Sequence, residues 1–355
     1  MAGHYKIFLD GIMHLGDIFM SASVIPVLRQ QYPEAEIHYL VKDDLAGAAG
    51  LLSGIDRIIP YTYKSGGGYM DVYRIGKQLA KEQYDLGISL DPRERVTLMK
   101  WFARIPIRLS MERALGWELG WEKYFYTEDL HFRKPWDYRE HSMSESFQRL
   151  IRDYFRDDSE EFIPPTVRPS TKAELDKAEA LLVPLQGYKE KIAFSVETTT
   201  KTKDWPTRKF AEVADWLVET YGAGIVITGI PSQEPRIAEV IRQMKHPEAA
   251  LDVAGKTSLT ELIALFRRMK LLLTLDTGSA HIAAVAGCPV ITIFTHNSPE
   301  IYRAACAVSR TVSGHVPCSG KHTCIGPSRC TKTDCVDCIS TDMVKTEIQQ
   351  VMKEL

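Results

Sequence analysis

Along this chain short apolar runs alternate with longer amphipathic stretches, and that alternation sets the predicted elements. Residues 6–10 form a compact apolar run, and a helical stretch then continues to near Tyr32. Pro33 precedes a second strand at 36–41, where Ile37, Tyr39 and Val41 alternate as on one face of a sheet. Residues 85–90 give a third strand, with Asp91 at its C-terminal end. Strands that alternate with helices predict a parallel sheet covered on both faces.

The pattern breaks at 156–169, where four acidic residues (Asp157, Asp158, Glu160, Glu161) meet three prolines (Pro164, Pro165, Pro169). Such composition marks a linker or a surface excursion. A second α/β series follows. Residues 191–196 read as a strand, 209–221 as an amphipathic helix ending at Gly222, and 224–228 as a strand stopped by Gly229 and Pro231. A helix is predicted over 258–269, with Ser258 as its cap and Glu261 three residues on as a capping box. A strand at 271–275, a short helix at 279–286, a strand at 290–294 and a last helix at 342–355 complete the series. The predicted fold class is α/β, with two doubly wound domains at 1–165 and 166–340 and a terminal helical segment at 341–355. Two such domains facing one another would place a ligand cleft at the carboxyl ends of both sheets.

Composition narrows the function classes. Of 355 residues, 45% are hydrophobic and 25% charged, which excludes disordered and low-complexity architectures. Lys and Arg number 44 against 46 Asp and Glu, so nothing global points to nucleic acid as a partner. The most apolar stretch, 271–294, contains Asp276 and His281 and breaks at Gly278 and Gly287, so no bilayer span is expected. The opening residues MAGHYKIFLDGIMHLGD lack the basic-then-apolar pattern of a signal peptide, and a cytosolic location is the expectation. Of seven cysteines, five fall between positions 318 and 338. In a reducing compartment such a cluster suggests a metal site or free thiols rather than disulfides.

Three strand-to-helix junctions carry candidate chemistry. At the first, Asp276-Thr277-Gly278-Ser279-Ala280-His281 closes a buried strand and opens a helix of small residues. Free N–H groups at a helix start suit a phosphate, small side chains let it approach, and His281 falls within the first turn. Asp276 capping the helix with His281 merely packed is the competing account. At the second, Thr199, Lys201 and Lys203 precede Trp205-Pro206. Hydroxyls and ammonium groups there suit a diphosphate leaving group, although it is not a Walker A loop, and a plain polar loop with Pro206 in the first helical turn remains open. At the third, His14-Leu15-Gly16-Asp17 follows the first strand. A carboxylate there is a candidate general base or an ordinary helix cap.

Two further stretches are less specific. Residues 93–113 hold six basic residues, opening with Arg93 and Arg95, with Trp101, Trp117 and Trp121 in or near them. This reads as contact with an anionic acceptor or a membrane surface, or as a solvated helix face with core tryptophans. Cys318, Cys324, Cys330, Cys335 and Cys338 include one CxxC pair but no standard zinc-ribbon spacing, so a structural zinc or iron and loosely placed thiols both stand.

Taken in order, these motifs resemble glycosyltransferase family 9, the ADP-heptose:lipopolysaccharide heptosyltransferases and their relatives. The resemblance runs through Gly16-Asp17, Pro26, Tyr32-Pro33, Lys203-Asp204-Trp205-Pro206, Thr228-Gly229-Ile230-Pro231, Ala254 to Leu259, Asp276 to His281, and the ending Cys338 to Val344. It implies a GT-B fold, two Rossmann-like domains facing across a cleft, with the acceptor on the N-terminal one and the nucleotide sugar on the C-terminal one. It also implies an inverting transfer that requires no metal or other cofactor. Asp17 matches the family's catalytic base. Thr199 and Lys203 match the diphosphate loop, Asp276, Thr277, Gly278 and His281 the donor signature, and Lys256, Thr257 and Ser258 the nucleoside contacts. The implied partners are an ADP-sugar donor and a lipid-linked or anionic glycan acceptor such as the lipopolysaccharide core, with no nucleic acid. The implied place is the cytoplasm, with peripheral contact at the cytoplasmic face of the inner membrane. Two alternatives stand beside it: a nucleotide-sugar epimerase on the same architecture, and a non-catalytic family member acting as a sugar-binding or assembly protein.

Overall fold

The computed structural model describes residues 5–11, 14–62, 68–90, 94–111, 114–116, 120–198, 204–295, 297–314, 316 and 333–355. The chain divides into two units, Met1–Arg168 and Pro169–Leu355. In the first, chain order runs β1 (Lys6–Asp10), α1 (Leu15–Ser21), α2 (Val24–Gln31), β2 (Glu36–Lys42), α3 (Ala46–Ala49) and β3 (Arg57–Tyr61). It continues through α4 (Tyr69–Leu79), β4 (Leu86–Ser89), α5 (Glu94–Phe102), β5 (Ile107–Ser110), β6 (Glu128–Asp129) and α6 (Met143–Tyr154). The strands form one parallel sheet in the order β3-β2-β1-β4-β5-β6. The middles of its central strands are apolar because helices cover both faces: Ile7, Phe8, Leu9, Leu86 and Ile88 are fully buried.

The single helical stretch predicted before Tyr32 is two helices, parted at Ala22 and Ser23. Pro26 is the cause. In an unbroken helix its nitrogen would have to donate to the carbonyl of Ala22, whereas in the first turn of a new helix no donor is needed. The break is used: the Ser23 hydroxyl donates to the Ser144 carbonyl at 2.9 Å and the Gln148 side chain donates to the Ser23 carbonyl at 2.8 Å. Both contacts seat α6 on α1 and α2. The acidic, proline-containing stretch after α6 is stitched back onto this unit. The Ser53 amide donates to the Thr166 carbonyl at 2.8 Å, and the Arg168 amide donates to the Leu51 carbonyl at 2.9 Å.

The second unit runs α7 (Lys172–Leu182), β7 (Glu190–Ser195), α8 (Thr207–Tyr221), β8 (Ala223–Thr228), α9 (Glu234–Gln243), β9 (Ala250–Asp252) and α10 (Leu259–Phe266). Then come β10 (Leu271–Leu275), α11 (Gly278–Val285), β11 (Val290–Phe294), α12 (Pro299–Tyr302), β12 (Ser309–Ser313), α13 (Asp334–Asp337) and α14 (Thr341–Glu354). Its parallel sheet has the order β12-β11-β10-β7-β8-β9. Counted from each unit's first strand, the two sheets are wound identically, and both have the Rossmann order. The winding reverses between β1 and β4 in one unit and between β7 and β10 in the other.

Trp205 is the largest fully buried side chain of the second unit. Its ring meets Phe210 edge-on at 4.9 Å, and its indole N–H donates to the Ile339 carbonyl at 3.0 Å. Lys209 donates to the same carbonyl at 2.7 Å. This fixes the approach to α14, whose Val344, Ile348 and Val351 recur at helical spacing and are fully buried. Trp205→Ala should cost about 3–5 kcal/mol in urea unfolding. Trp205→Phe should cost less, because Lys209 still serves the Ile339 carbonyl.

Candidate functional site

Each reversal of winding gathers the strand ends from which the predicted residues hang. In the first unit Asp17 occupies the third position of α1, not its cap: its Oδ2 accepts from the His14 amide at 2.9 Å in a capping-box arrangement. The residue is half-buried. Behind it, at the last position of β1, Asp10 is fully buried and paired with the equally buried Lys100 of α5. The Ser89 hydroxyl donates to Asp10 at 3.5 Å, Tyr126 donates to Ser89 at 3.1 Å, and the Lys100 ammonium lies 5.6 Å from the Tyr126 ring centre. A Cβ on Gly87 would come within 3.1 Å of the Lys100 stem, so the glycine in β4 makes the room that this lysine fills. Buried charges need this degree of pairing to be tolerated at all. Arg95 sits half-buried in the first turn of α5, beside the same end of β4, while Arg93 lies outside the described residues.

In the second unit the Asp276–His281 junction forms as a strand, a turn and a helix. Thr277 is the cap of α11, with extended backbone and no side-chain bond to the helix. The first amides of α11 therefore depend on a partner other than that side chain. Asp276 stands one residue before that cap, and its carboxylate accepts from the Asn297 side-chain amide. The Ser195 hydroxyl at the end of β7 donates to the Ser279 hydroxyl at 3.3 Å, which ties β7 to the first turn of α11. His281 is buried, and burial pushes its pKa down to about 4. It is a neutral imidazole at physiological pH, able to donate and accept without adding charge.

Thr199 and Lys203 lie outside the described residues, but the chain on either side of them is held. The Thr198 amide donates to Asp204 at 2.8 Å, and Arg236 Nε donates to the Val196 carbonyl at 2.7 Å and its Nη2 to the Trp205 carbonyl. Lys256 donates to the Asp252 carbonyl at 2.6 Å. Thr257 precedes Ser258, whose hydroxyl is spent on capping α10 at Glu261, as the spacing predicted. Gly255, at φ +65°, brings this segment against the end of β8: its amide donates to the Gly229 carbonyl at 3.0 Å, and a Cβ there would meet Pro231 at 2.7 Å.

The structure thus brings Asp276, Thr277, Gly278 and His281 together, sets Lys256 to Ser258 at the end of β9 in the same unit, and places Asp17 and Arg95 at the reversal of the other unit. Sequence patterning missed Asn297, Arg236, Ser195 and the Asp10–Lys100 pair, which act through residues far away along the chain. Of the cysteine candidates, Cys335 and Cys338 lie on α13 and its C-terminal cap, half-buried and exposed respectively. Cys318, Cys324 and Cys330 fall outside the described residues, and among the described residues no three metal-ligating side chains converge. No helix among the described residues is long and apolar enough to cross a membrane.

Comparison with known proteins shows the family and the fold. The sequence profile of glycosyltransferase family 9 (heptosyltransferase) matches residues 72–327. The lipooligosaccharide heptosyltransferase 2 of Haemophilus influenzae is 28% identical over 83% of this chain and 84% of its own length. A family 9 glycosyl transferase from Veillonella parvula superposes with a TM-score of 0.83 at 20% identity, over 100% of this chain and 99% of its own. The Escherichia coli heptosyltransferase WaaC, solved with ADP-2-deoxy-2-fluoro heptose, superposes with a TM-score of 0.69 at 16% identity, over 97% and 99%. The fold is GT-B.

The buried His281 has a consequence for stability. Between about pH 6.5 and pH 4 the unfolded chain binds a proton that the folded chain refuses, so stability falls as the pH falls through that window. The loss should approach about 3 kcal/mol at the acid end. Urea unfolding of wild type and His281→Asn across the window should show the shallower dependence in the variant.

Proposed function

The chain belongs to glycosyltransferase family 9 (heptosyltransferase), and on that premise we propose that it transfers heptose from an ADP-sugar to the lipopolysaccharide core or a related glycan acceptor. It is a glycosyltransferase; the sugar, the nucleotide and the acceptor are the proposal. The observation that carries it is the helix start at Asp276–His281, tied to β7 through Ser195 and Ser279, in a chain whose structural relative WaaC was solved with an ADP-heptose analogue. The similarity to lipooligosaccharide heptosyltransferase 2 supports the sugar and the acceptor class.

In the proposed reaction the Asp17 carboxylate takes the proton of an acceptor hydroxyl, and that oxygen attacks the anomeric carbon. The bond from the anomeric carbon to the diphosphate oxygen breaks, with inversion, and ADP leaves carrying the negative charge. Lys203, Thr199 and the first amides of α11, at Thr277 and Gly278, would hold that charge, a role suited to fixed dipoles and cations. Lys256, Thr257 and Ser258 would line the nucleoside, and neutral His281 would hydrogen-bond the donor. Arg93 and Arg95 would meet the acceptor. No metal enters the transfer. The glycan acceptor would be carried on a lipid, which puts the enzyme to work at the cytoplasmic face of the inner membrane.

Asp17→Asn should lower kcat by about 10²–10⁴-fold while ADP-sugar binding holds, and Lys203→Ala should weaken donor binding instead. Transfer at the wild-type rate by Asp17→Asn would remove Asp17 as the base. Donor binding without transfer by the wild type would favour the sugar-binding reading.

For the cysteines, the half-buried Cys335 and the exposed Cys338 share one turn, and Cys338 Sγ sits where a Cβ on Gly314 would come within 2.1 Å. Two thiols one turn apart suit half of a tetrahedral site, and we assign the cluster a structural zinc or iron that holds the approach to α14. Protein purified without a metal-binding tag should contain about one equivalent; less than about half an equivalent would exclude it.

A further inference from the structure

The first unit carries an exposed aromatic face that the transfer chemistry does not use. Ten large apolar side chains are exposed among the described residues, and six of them fall between positions 69 and 124: Tyr69, Met70, Tyr73, Trp101, Trp121 and Tyr124. Three of them, Tyr73, Trp101 and Trp121, are joined by a continuous chain of ring contacts. Tyr73 of α4 meets Phe102 edge-on at 5.1 Å, Phe102 meets Trp101 at 4.9 Å, and Phe125 meets Trp101 at 5.3 Å and Trp121 at 5.7 Å. Met70 and Tyr124 are each more than three-quarters exposed. A soluble protein rarely leaves so many large rings together in water without a partner.

Charge along the same stretch identifies the partner. Across the described part of 69–125 the exposed charged residues are all cations: Arg74, Lys77, Lys81, Arg104 and Lys123. The carboxylates of this stretch are half-buried and engaged. Asp71 pairs with Arg74, Glu82 with Arg57, Glu94 accepts from Tyr69, and Glu122 accepts from the Gly120 amide. Lys123 sits 5.2 Å from the ring centre of Tyr124. Tyrosine and tryptophan with a cationic rim are the side chains of a lipid–water interface, where the ring enters the headgroup layer and the cation meets anionic headgroups. A protein interface core, by contrast, is depleted in lysine.

We propose that this face, built from α4, α5 and the turn at Trp121–Phe125, docks the enzyme on an anionic lipid bilayer. The placement suits the chemistry, because Tyr69 at the start of α4 donates to Glu94 at the start of α5, one residue from Arg95. The docking face therefore begins at the candidate acceptor end of the sheet. The inference deepens the reading that the acceptor is lipid-linked, and it is tested separately from it.

The first measurement is co-sedimentation with phosphatidylglycerol and phosphatidylcholine vesicles, free of acceptor. Wild type should bind the anionic vesicles more tightly, and added salt should weaken that binding. Trp101→Ser/Trp121→Ser/Tyr124→Ser should lose at least about tenfold in binding by removing the rings. Lys77→Glu/Lys123→Glu should lose at least about fivefold per position on anionic vesicles only. ADP-induced thermal stabilisation should be unchanged in both variants, which shows that they fold. Absence of wild-type binding to anionic vesicles, or equal binding by the aromatic variant, would overturn the proposal. So would loss of the face to a concentration-dependent dimer in sedimentation velocity. The second measurement is transfer to vesicle-embedded against delipidated acceptor: the aromatic variant should lose rate only on the first. Wild type that binds vesicles but transfers to neither would sink the acceptor reading and leave the docking face standing.

Discussion

The candidate base and the candidate diphosphate-binding turn both hang from the place where each sheet reverses its winding. Parallel strands can be joined only by crossovers of one hand, so a sheet that grows outward in both directions from its first strand must send neighbouring loops to opposite faces at the middle. At that point no crossover covers the strand ends. β1 and β4 create the opening in one unit, and β7 and β10 create it in the other. Asp17 and Arg95 follow the first pair, and the Asp276–His281 turn and the held ends of the 199–203 segment follow the second. The identical winding of the two sheets puts candidate base and candidate donor residues at equivalent positions of two similar scaffolds.

Holding charge at such an opening has consequences for the core behind it. In the first unit the solution is a fully buried ion pair, Asp10 with Lys100, completed by Ser89 and Tyr126. It joins the last residue before the Asp17 turn to the helix that carries Arg95. A pair of this kind is weak as a source of stability, since desolvation offsets most of the attraction, yet breaking it by removing one partner is strongly destabilising. In the second unit the solution is the opposite one: His281 is buried without charge, and its burial keeps it so down to about pH 4. The site that would hold a diphosphate thus gains a polar ring without gaining a titrating cation.

Legibility in the sequence followed these same physical differences. The buried parallel strands were readable because each has a run of apolar residues at its centre, and α10 was readable because Ser258 and Glu261 cap each other locally. The Asp276–His281 turn stood out because strand, turn and helix succeed one another within a few residues. α6 went unpredicted although Met143, Phe147, Leu150 and Ile151 recur at helical spacing and are buried, because Gln148, Arg149, Arg152 and Asp153 are buried beside them and interrupt the apolar run. α5 was obscured in the same way by Lys100. Trp101 of this helix and Trp121 of the turn after β5 were weighed as core, but both are on the surface. Asn297 and Arg236 were invisible because each serves a partner tens of residues away in sequence, Asp276 and the Val196 and Trp205 carbonyls respectively.

One helix now links three demands that compete for its faces. α5 must bury Val96 and Met99 in the core, place Lys100 against Asp10, and leave Trp101 exposed one residue later. Successive residues on a helix are about 100° apart, so residues 99, 100 and 101 point to three different sides. That is why α5 shows no amphipathic pattern: a helix with core, charged-pair and outer-surface obligations has no purely polar face left. Its first turn carries Arg95 at the sheet's carboxyl end and its last turn carries Trp101, about 9 Å further along the axis. The spacing lets a single rigid element present a cation toward the candidate acceptor site and an aromatic ring toward an outside surface. A shift in the Asp10–Lys100 contact would move both together.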